Sequence, residues 1–261
     1  MSVKETVFKL EEGLFRIVET EESGRFVDSY LIEGKRTALL IDTQRCENDL
    51  REVVRDLTDK PLEIVITHAH PDHLGPATEA FLREGIPVWV FREEIELYAP
   101  FGDAALPIRF DKEYGLRDLS EGQVFDLGGY ELEIRSLGGH TPRAAMLIER
   151  KKGWLFSGDA MGNRSFYMQV DGASSLESFS VQMDDFLDII KKIPDLKIYS
   201  GHGIGKESRD LDWAEAVREA TELILDGSCA GVPTESPWPN TLRMETPVFP
   251  DGYLYRSDNI R

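Results

Sequence analysis

The segment VITHAHPDHLGP, Val65–Pro76, places three histidines and an aspartate within six positions, His68 to His73. The chain has five histidines, and the other two are His140 and His202. Neutral imidazole is the commonest ligand of zinc-like ions, and carboxylates complete such sites. His68, His70, Asp72 and His73 therefore offer four ligands from one turn. Each histidine lies just past a predicted strand: IVIT before the first three, IRSLGG before His140, KIYSG before His202. Asp159, in LFSGDA, has the same placement. Strand ends along one sheet edge converge, and loops there carry function. A lone histidine after a strand is more often a surface or hydrogen-bonded residue than a ligand. A solvated-loop origin would leave some histidine on a helix, and none is there. Seven candidate ligands exceed one tetrahedral ion and suit two, three ligands each with one carboxylate left to bridge. Ions so paired stand roughly 3.5–4 Å apart.

The elements that must position these residues are strand-rich with interspersed helices. LFRIVE, SYLIEG and TALLIDT are short β-type segments punctuated by glycine and charge. Leu50, Val53, Val54 and Leu57 follow amphipathic helical spacing, and LEIVITH is a buried strand running into the histidine turn. GPATEAFLREG reads as a short helix closed by Gly85, and IPVWVF as a strand. Residues 92–120, with YAPFGDAALPIRF, read as an irregular excursion. YELEIRSL alternates as a half-buried strand, and AAMLIE and WLFSGD follow as two more. Ser174 and Glu177 fit a capping box opening a helix with Leu176, Phe179, Met183, Phe186, Leu187 and Ile190 as its apolar stripe. DLDWAEAVREATELILDG is a last amphipathic helix, with Trp213, Ala216, Val217, Ala220 and Ile224 on one side. The pattern is α/β, helices covering sheet layers. It is read as a catalytic domain over residues 1–226 and an extended, proline- and aromatic-rich tail, 227–261, packed on it. The tail and residues 98–110 are both open to a role as a lid.

Composition narrows the partners. Thirty lysines and arginines against 48 acidic residues give a net charge of −18 over 261 residues. Such a chain repels phosphate backbones and anionic lipid, which argues against nucleic acid or membrane as partners, although solubility alone also accounts for the charge; a small-molecule substrate is expected. Cys46 and Cys229 form no CxxC pair, and the N-terminus carries no signal-like apolar run, so a cytoplasmic location is expected. Homo-oligomerisation is left open.

THAHPDHLGP resembles the HxHxDH signature of the metallo-β-lactamase superfamily. GGHTP, SGDA and YSGHG resemble that family's later histidine, bridging-aspartate and last-histidine motifs, and LLIDT its upstream strand. The resemblance spans most of residues 14 to 205. It implies a four-layer αββα sandwich with metals at one edge. His68, His70 and His140 would hold one ion, Asp72, His73 and His202 a second, and Asp159 would bridge them. Zinc is the expected metal, with iron or manganese as alternatives. An aspartate at the bridging position resembles the glyoxalase II and lactonase branches. Histidine at the second slot of HxHxDH disfavours the diiron oxygen-reducing branch. The basic residues that bind glutathione in glyoxalase II are not recognisable, and no basic track suits the nucleic-acid-cleaving branches.

The reaction so implied is hydrolysis of an ester, thioester, lactone or amide, with Asp72 orienting the nucleophile or passing a proton. Asp42, ending LLIDT, is a candidate to hold a ligand histidine from behind. Arg164, Phe166, Tyr167 and Met168, after Asp159, are candidates to touch substrate, against an alternative of loop packing. Two rival readings stand beside hydrolysis. One is a mononuclear iron dioxygenase using His68, His140 and Asp159 as its triad. The other is a non-catalytic protein that keeps metal for stability.

Overall fold

A computed structural model describes residues 4–20, 26–45, 50–98, 115–203, 207–246 and 249–260. It divides into two compact units, Met1–Arg135 with Gly201–Glu207, and Ser136–Ser200 with Ser208–Arg261.

The first unit is built on a seven-stranded sheet. Strands β1 (Lys4–Glu11), β2 (Leu14–Thr20), β3 (Phe26–Glu33) and β4 (Ala38–Ile41) run as an antiparallel meander. Strands β5 (Leu62–Val65), β6 (Val88–Val90) and β7 (Arg117–Asp118) then add in parallel beyond β4. Helix α1 (Leu50–Leu57) joins β4 to β5, and α2 (Ala77–Arg83) joins β5 to β6. Parallel neighbours need such crossovers. Leu40, Ile64, Val88 and Val90 from the sheet pack with Leu50, Val54, Phe81 and Leu82 from the helices. Each such fully buried side chain contributes about 1.5–3 kcal/mol. The excursion expected over residues 92–120 is partly regular. Arg92–Tyr98 forms helix α3, anchored by the buried Ile95. Residues 99–114, and with them most of the suggested lid, lie outside the described residues, as does Cys46. Strands β8 (Val124–Asp126) and β9 (Glu131–Leu137) form an antiparallel hairpin, and the chain enters the second unit inside β9.

In the second unit, β10 (Ala144–Glu149) pairs antiparallel with β11 (Trp154–Gly158), which pairs parallel with β13 (Lys197–Ser200). Helices α4 (Leu176–Ile190) and α5 (Leu211–Leu225) bury the apolar stripes read from sequence: Phe179, Met183, Phe186 and Ile190 on α4, Trp213, Val217, Ala220 and Ile224 on α5. The α4 cap differs from expectation by one residue. Ser175 is extended (φ −64°, ψ 151°) and its side chain accepts from the Ser178 amide, so Ser175 caps the helix in place of the Ser174/Glu177 box. The segment after residue 227 is more than an extended tail. It supplies β14 (Val232–Pro233), β15 (Thr241–Met244) and β16 (Tyr253–Arg256), and β16 pairs with β12 (Phe166–Met168). Among the described residues no helix is long and apolar enough to cross a membrane.

Candidate metal centre

His68, His70, Asp72, His73 and His202 belong to the first unit and are brought together there. After β5 the chain turns tightly: the amides of His73 and Leu74 both donate to the His70 carbonyl, at 2.9 and 2.8 Å. That turn sits on the end of β4. Thr43 donates its amide and hydroxyl to the His73 carbonyl, and its hydroxyl oxygen accepts from the Gly75 amide at 3.0 Å. The rings crowd one another. His68 and His73 have centroids 4.1 Å apart, His68 and His70 4.7 Å, and His73 and His202 5.4 Å. Asp72, His73 and His202 each offer a ligand atom, and these atoms lie within 4.8 Å of one another. Asp72 Oδ2 and His202 Nε2 stand 3.6 Å apart, and His68 Nε2 and His70 Nδ1 3.1 Å. Two ligands on one tetrahedral ion with bonds near 2.0–2.1 Å stand roughly 3.3 Å apart. The donor chemistry and spacing therefore fit divalent metal ions.

Protonation of the rings is set from behind by Asp42. Its buried carboxylate accepts from the Thr67 amide (2.7 Å), the Thr67 hydroxyl (2.8 Å) and His73 Nδ1 (2.8 Å). A carboxylate only accepts, so His73 carries its proton on Nδ1 and directs the Nε2 lone pair into the cluster. Because the Thr67 proton goes to Asp42, its oxygen accepts from His68 Nδ1 at 3.1 Å, which leaves the Nε2 lone pair on His68 too. Asp42 has φ +62° and Gln44 φ +57°, left-handed conformations uncommon outside glycine. The Gln44 side chain holds that bend by donating to the Ile17 carbonyl at 2.6 Å. The expectation that Asp42 lies behind a ligand histidine thus has a geometric counterpart in its bond to His73.

His202 is held by β3. The Asp28 amide donates to the Gly201 carbonyl at 2.8 Å, and the Gly203 amide donates to Asp28 Oδ2 at 2.5 Å. Burial pushes the Asp28 carboxyl up to about 6, while the Arg16 guanidinium pulls it the other way. Asp72 and His202 form the open rim of the cluster, with side chains 27% and 33% exposed, whereas His68 and His73 are fully buried.

His140 and Asp159 belong to the second unit and are brought together there, His140 Nε2 standing 3.7 Å from Asp159 Oδ2. His140 Nδ1 donates to the Tyr167 carbonyl at 2.6 Å, so its Nε2 lone pair faces the aspartate. The His140 loop is pinned to the start of α4. The Ser174 amide donates to the Gly139 carbonyl and the Gly138 amide to Gln182 Oε1. A Cβ on Gly139 would come within 2.7 Å of the Phe179 ring, which is why glycine occupies that position.

The residues proposed to touch substrate divide. Phe166 and Met168 are fully buried in the second unit's core, Phe166 against Phe179 and Tyr253, so both serve packing and present no surface to a ligand. They alternate with Tyr167 along β12, whose side chain is 41% exposed. Arg164 is exposed and paired with Asp251 at 2.5 Å. Sequence reasoning missed Thr67, Asp28 and the buried Glu94, which accepts from the Ala69 amide between two candidate ligands at 3.2 Å. Thr67 adjoins His68 and could have been found from that signal. Asp28 and Glu94 carry none.

Fold and site together define a class. The chain belongs to the metallo-beta-lactamase superfamily, whose family profile matches residues 23–202. It is 27% identical to the hydroxyacylglutathione hydrolase GloC of Haemophilus influenzae over 201 residues, covering 69% of this chain and 89% of that protein. It is also 27% identical to the acyl-coenzyme A thioesterase MBLAC2 of Homo sapiens over 181 residues, covering 58% of this chain and 64% of that one. The solved metallo-beta-lactamase from Pontibacter korlensis superposes with a TM-score of 0.66 at 21% identity, covering 84% of this chain and 99% of its own. The mixed α/β architecture is therefore the metallo-β-lactamase fold, as the four separated motifs implied.

Proposed function

We propose that the protein is a dinuclear metal-dependent hydrolase of a small acyl compound. In this reading the ligand sets are those that the family resemblance implied. His68, His70 and His140 serve one ion, Asp72, His73 and His202 the other, and Asp159 both. The observation that carries it is the buried cluster whose ring lone pairs Asp42 aims inward. Divalent ions bound there would supply polarisation of a carbonyl oxygen and a water whose pKa falls from about 15.7 to about 7. The chain's own work is to orient and to handle the proton. Asp72 is the carboxylate on the exposed rim, where it can accept a proton from an attacking water, and His202 beside it bounds the approach. Asp42 and Thr67 keep His73 and His68 from turning. Thioesters are the first substrate class to test, since the names of two relatives describe thioester cleavage. A cytoplasmic, small-molecule role belongs to this reading, and the net charge of −18 argues against nucleic acid or anionic lipid as the partner.

The test is metal quantification on protein purified without added metal, followed by a panel of esters, thioesters, lactones and amides. Two zinc-like ions per chain with metal-dependent turnover are expected. One iron per chain with oxygen uptake would replace this reading by the mononuclear oxygenase. Bound metal with no turnover on any member of the panel would favour the stability role.

A further inference from the structure

We infer that the buried Arg16–Asp28 pair is a positioning device for His202. It rests on the dinuclear reading proposed above, and concerns a part of the first unit that reading leaves unused. Arg16 faces Tyr30 across the β2–β3 ladder, and Asp28 lies two residues from Tyr30 on the same face. The surroundings of that face are apolar: Leu14, Tyr30 and Ile32 are all buried. Arg16 is 1% and Asp28 0% exposed. Arg16 Nη2 donates to both carboxylate oxygens, at 2.8 and 2.7 Å. Taking such a pair from water costs more than well-packed apolar side chains would, so it is weak as a stability device.

Its other contacts give it a different task. Asp28 grips the chain on both sides of His202, its amide on the Gly201 carbonyl and its Oδ2 on the Gly203 amide. Two bonds to flanking peptides fix the orientation of the peptides that carry the imidazole. Arg16 holds the carboxylate so that Oδ2 faces Gly203. The fit is close: a Cβ on Gly203 would meet Arg16 Nη2 at 3.2 Å and Asp28 Oδ2 at 3.3 Å. His202 itself is one-third exposed and comes from the loop after β13, with its ring edge-on to His73 at 5.4 Å. The bracket fixes the backbone that carries this ring. Residues that orient metal ligands from behind change metal affinity by about 10–100-fold when altered.

The experiment is titration of metal-free full-length protein with cobalt(II), reading stoichiometry by chelator competition and ligand geometry by visible absorption. Asp28→Asn keeps an oxygen for Gly203 but loses the charge that Arg16 holds. It is expected to weaken one of two equivalents by about 10–100-fold and to shift that equivalent's cobalt bands, leaving the other equivalent unchanged. In a His202→Ala background, Asp28→Asn should add nothing. If Asp28→Asn does not fold, Arg16→Lys is expected to weaken the same equivalent, by less. Parent-like binding of both equivalents in the folded variants, equal weakening of both, or full additivity with His202→Ala overturns the positioning role alone. A parent protein that takes up no cobalt, or one indifferent to His202→Ala, overturns the metal-centre reading and this inference with it.

Discussion

Replacing Asp42 by asparagine isolates what the acceptor behind the candidate ligands does. The exchange is nearly isosteric, and asparagine tolerates the φ of +62° found there, so the backbone gains no new strain. What changes is the hydrogen bonding. Asp42 accepts three bonds from two residues, Thr67 and His73, at 2.7–2.8 Å. An amide offers one oxygen and one NH2 group. If the oxygen stays with the Thr67 amide, the NH2 group faces the Thr67 hydroxyl and His73 Nδ1. His73 must then lose that bond or carry its proton on Nε2, the atom that should bind metal. A hydrogen bond to a charged group contributes about 1.5–3 kcal/mol. Loss of that order corresponds to about 10–100-fold weaker metal binding, the range typical of ligand-supporting residues. Competition with a chromophoric chelator measures it, and thermal unfolding of the metal-free protein separates the fold from the site. An Asp42→Asn protein that binds metal as tightly as the parent would refute the reasoning, because the tautomer of His73 would then not depend on Asp42.

Asp159→Ala is expected to remove activity and at least one ion, and equal metal content in variant and parent would contradict the bridging role. Phe166→Ala should cost about 3–5 kcal/mol in a urea titration, as a buried aromatic does. Tyr167→Ala, its exposed neighbour, should leave the midpoint and metal content unchanged while shifting substrate preference, since only the Tyr167 backbone carbonyl meets His140. Alkaline pH supplies a further test. Burial holds the Tyr253 phenol above its ordinary value of 10.0, and its hydroxyl lies 3.0 Å from Thr221 Oγ1, which itself donates to the Val217 carbonyl. The folded state thus keeps a proton that the unfolded chain gives up. The associated stability is intact below the unfolded value and is lost as pH rises above about 10. Tyr253→Phe should flatten the fall in melting temperature between about pH 9 and about pH 11. An unchanged slope would show that another group dominates.

The candidate ligand set was legible in the sequence because its signal is local. Six consecutive positions hold four of the seven candidates, and the rest follow apolar runs that could only be strands. The apolar stripes of α4 and α5 were legible for the same reason: helical period and burial coincide. β12 was not. Three residues between turns carry no period, so substrate contact and loop packing stood as alternatives for Phe166 and Met168, and the pairing of β16 with β12 decides for packing. The cap read from sequence, Ser174 with Glu177, was off by one residue, because the choice between adjacent serines rests on backbone angles that the sequence does not carry.

By itself, then, the sequence determined which side chains are available to hold metal and that they stand at strand ends. The tertiary structure decided how the imidazoles are oriented. Asp42 reaches His73 across 31 residues of chain, Tyr167 reaches His140 across 27, and Asp28 reaches Gly203 across 175. A hydrogen-bond acceptor is recognised by where it points, not by its type, and an aspartate that ends a strand reads the same whether it faces water or a ligand. Only the register of the strands places those oxygens behind the rings.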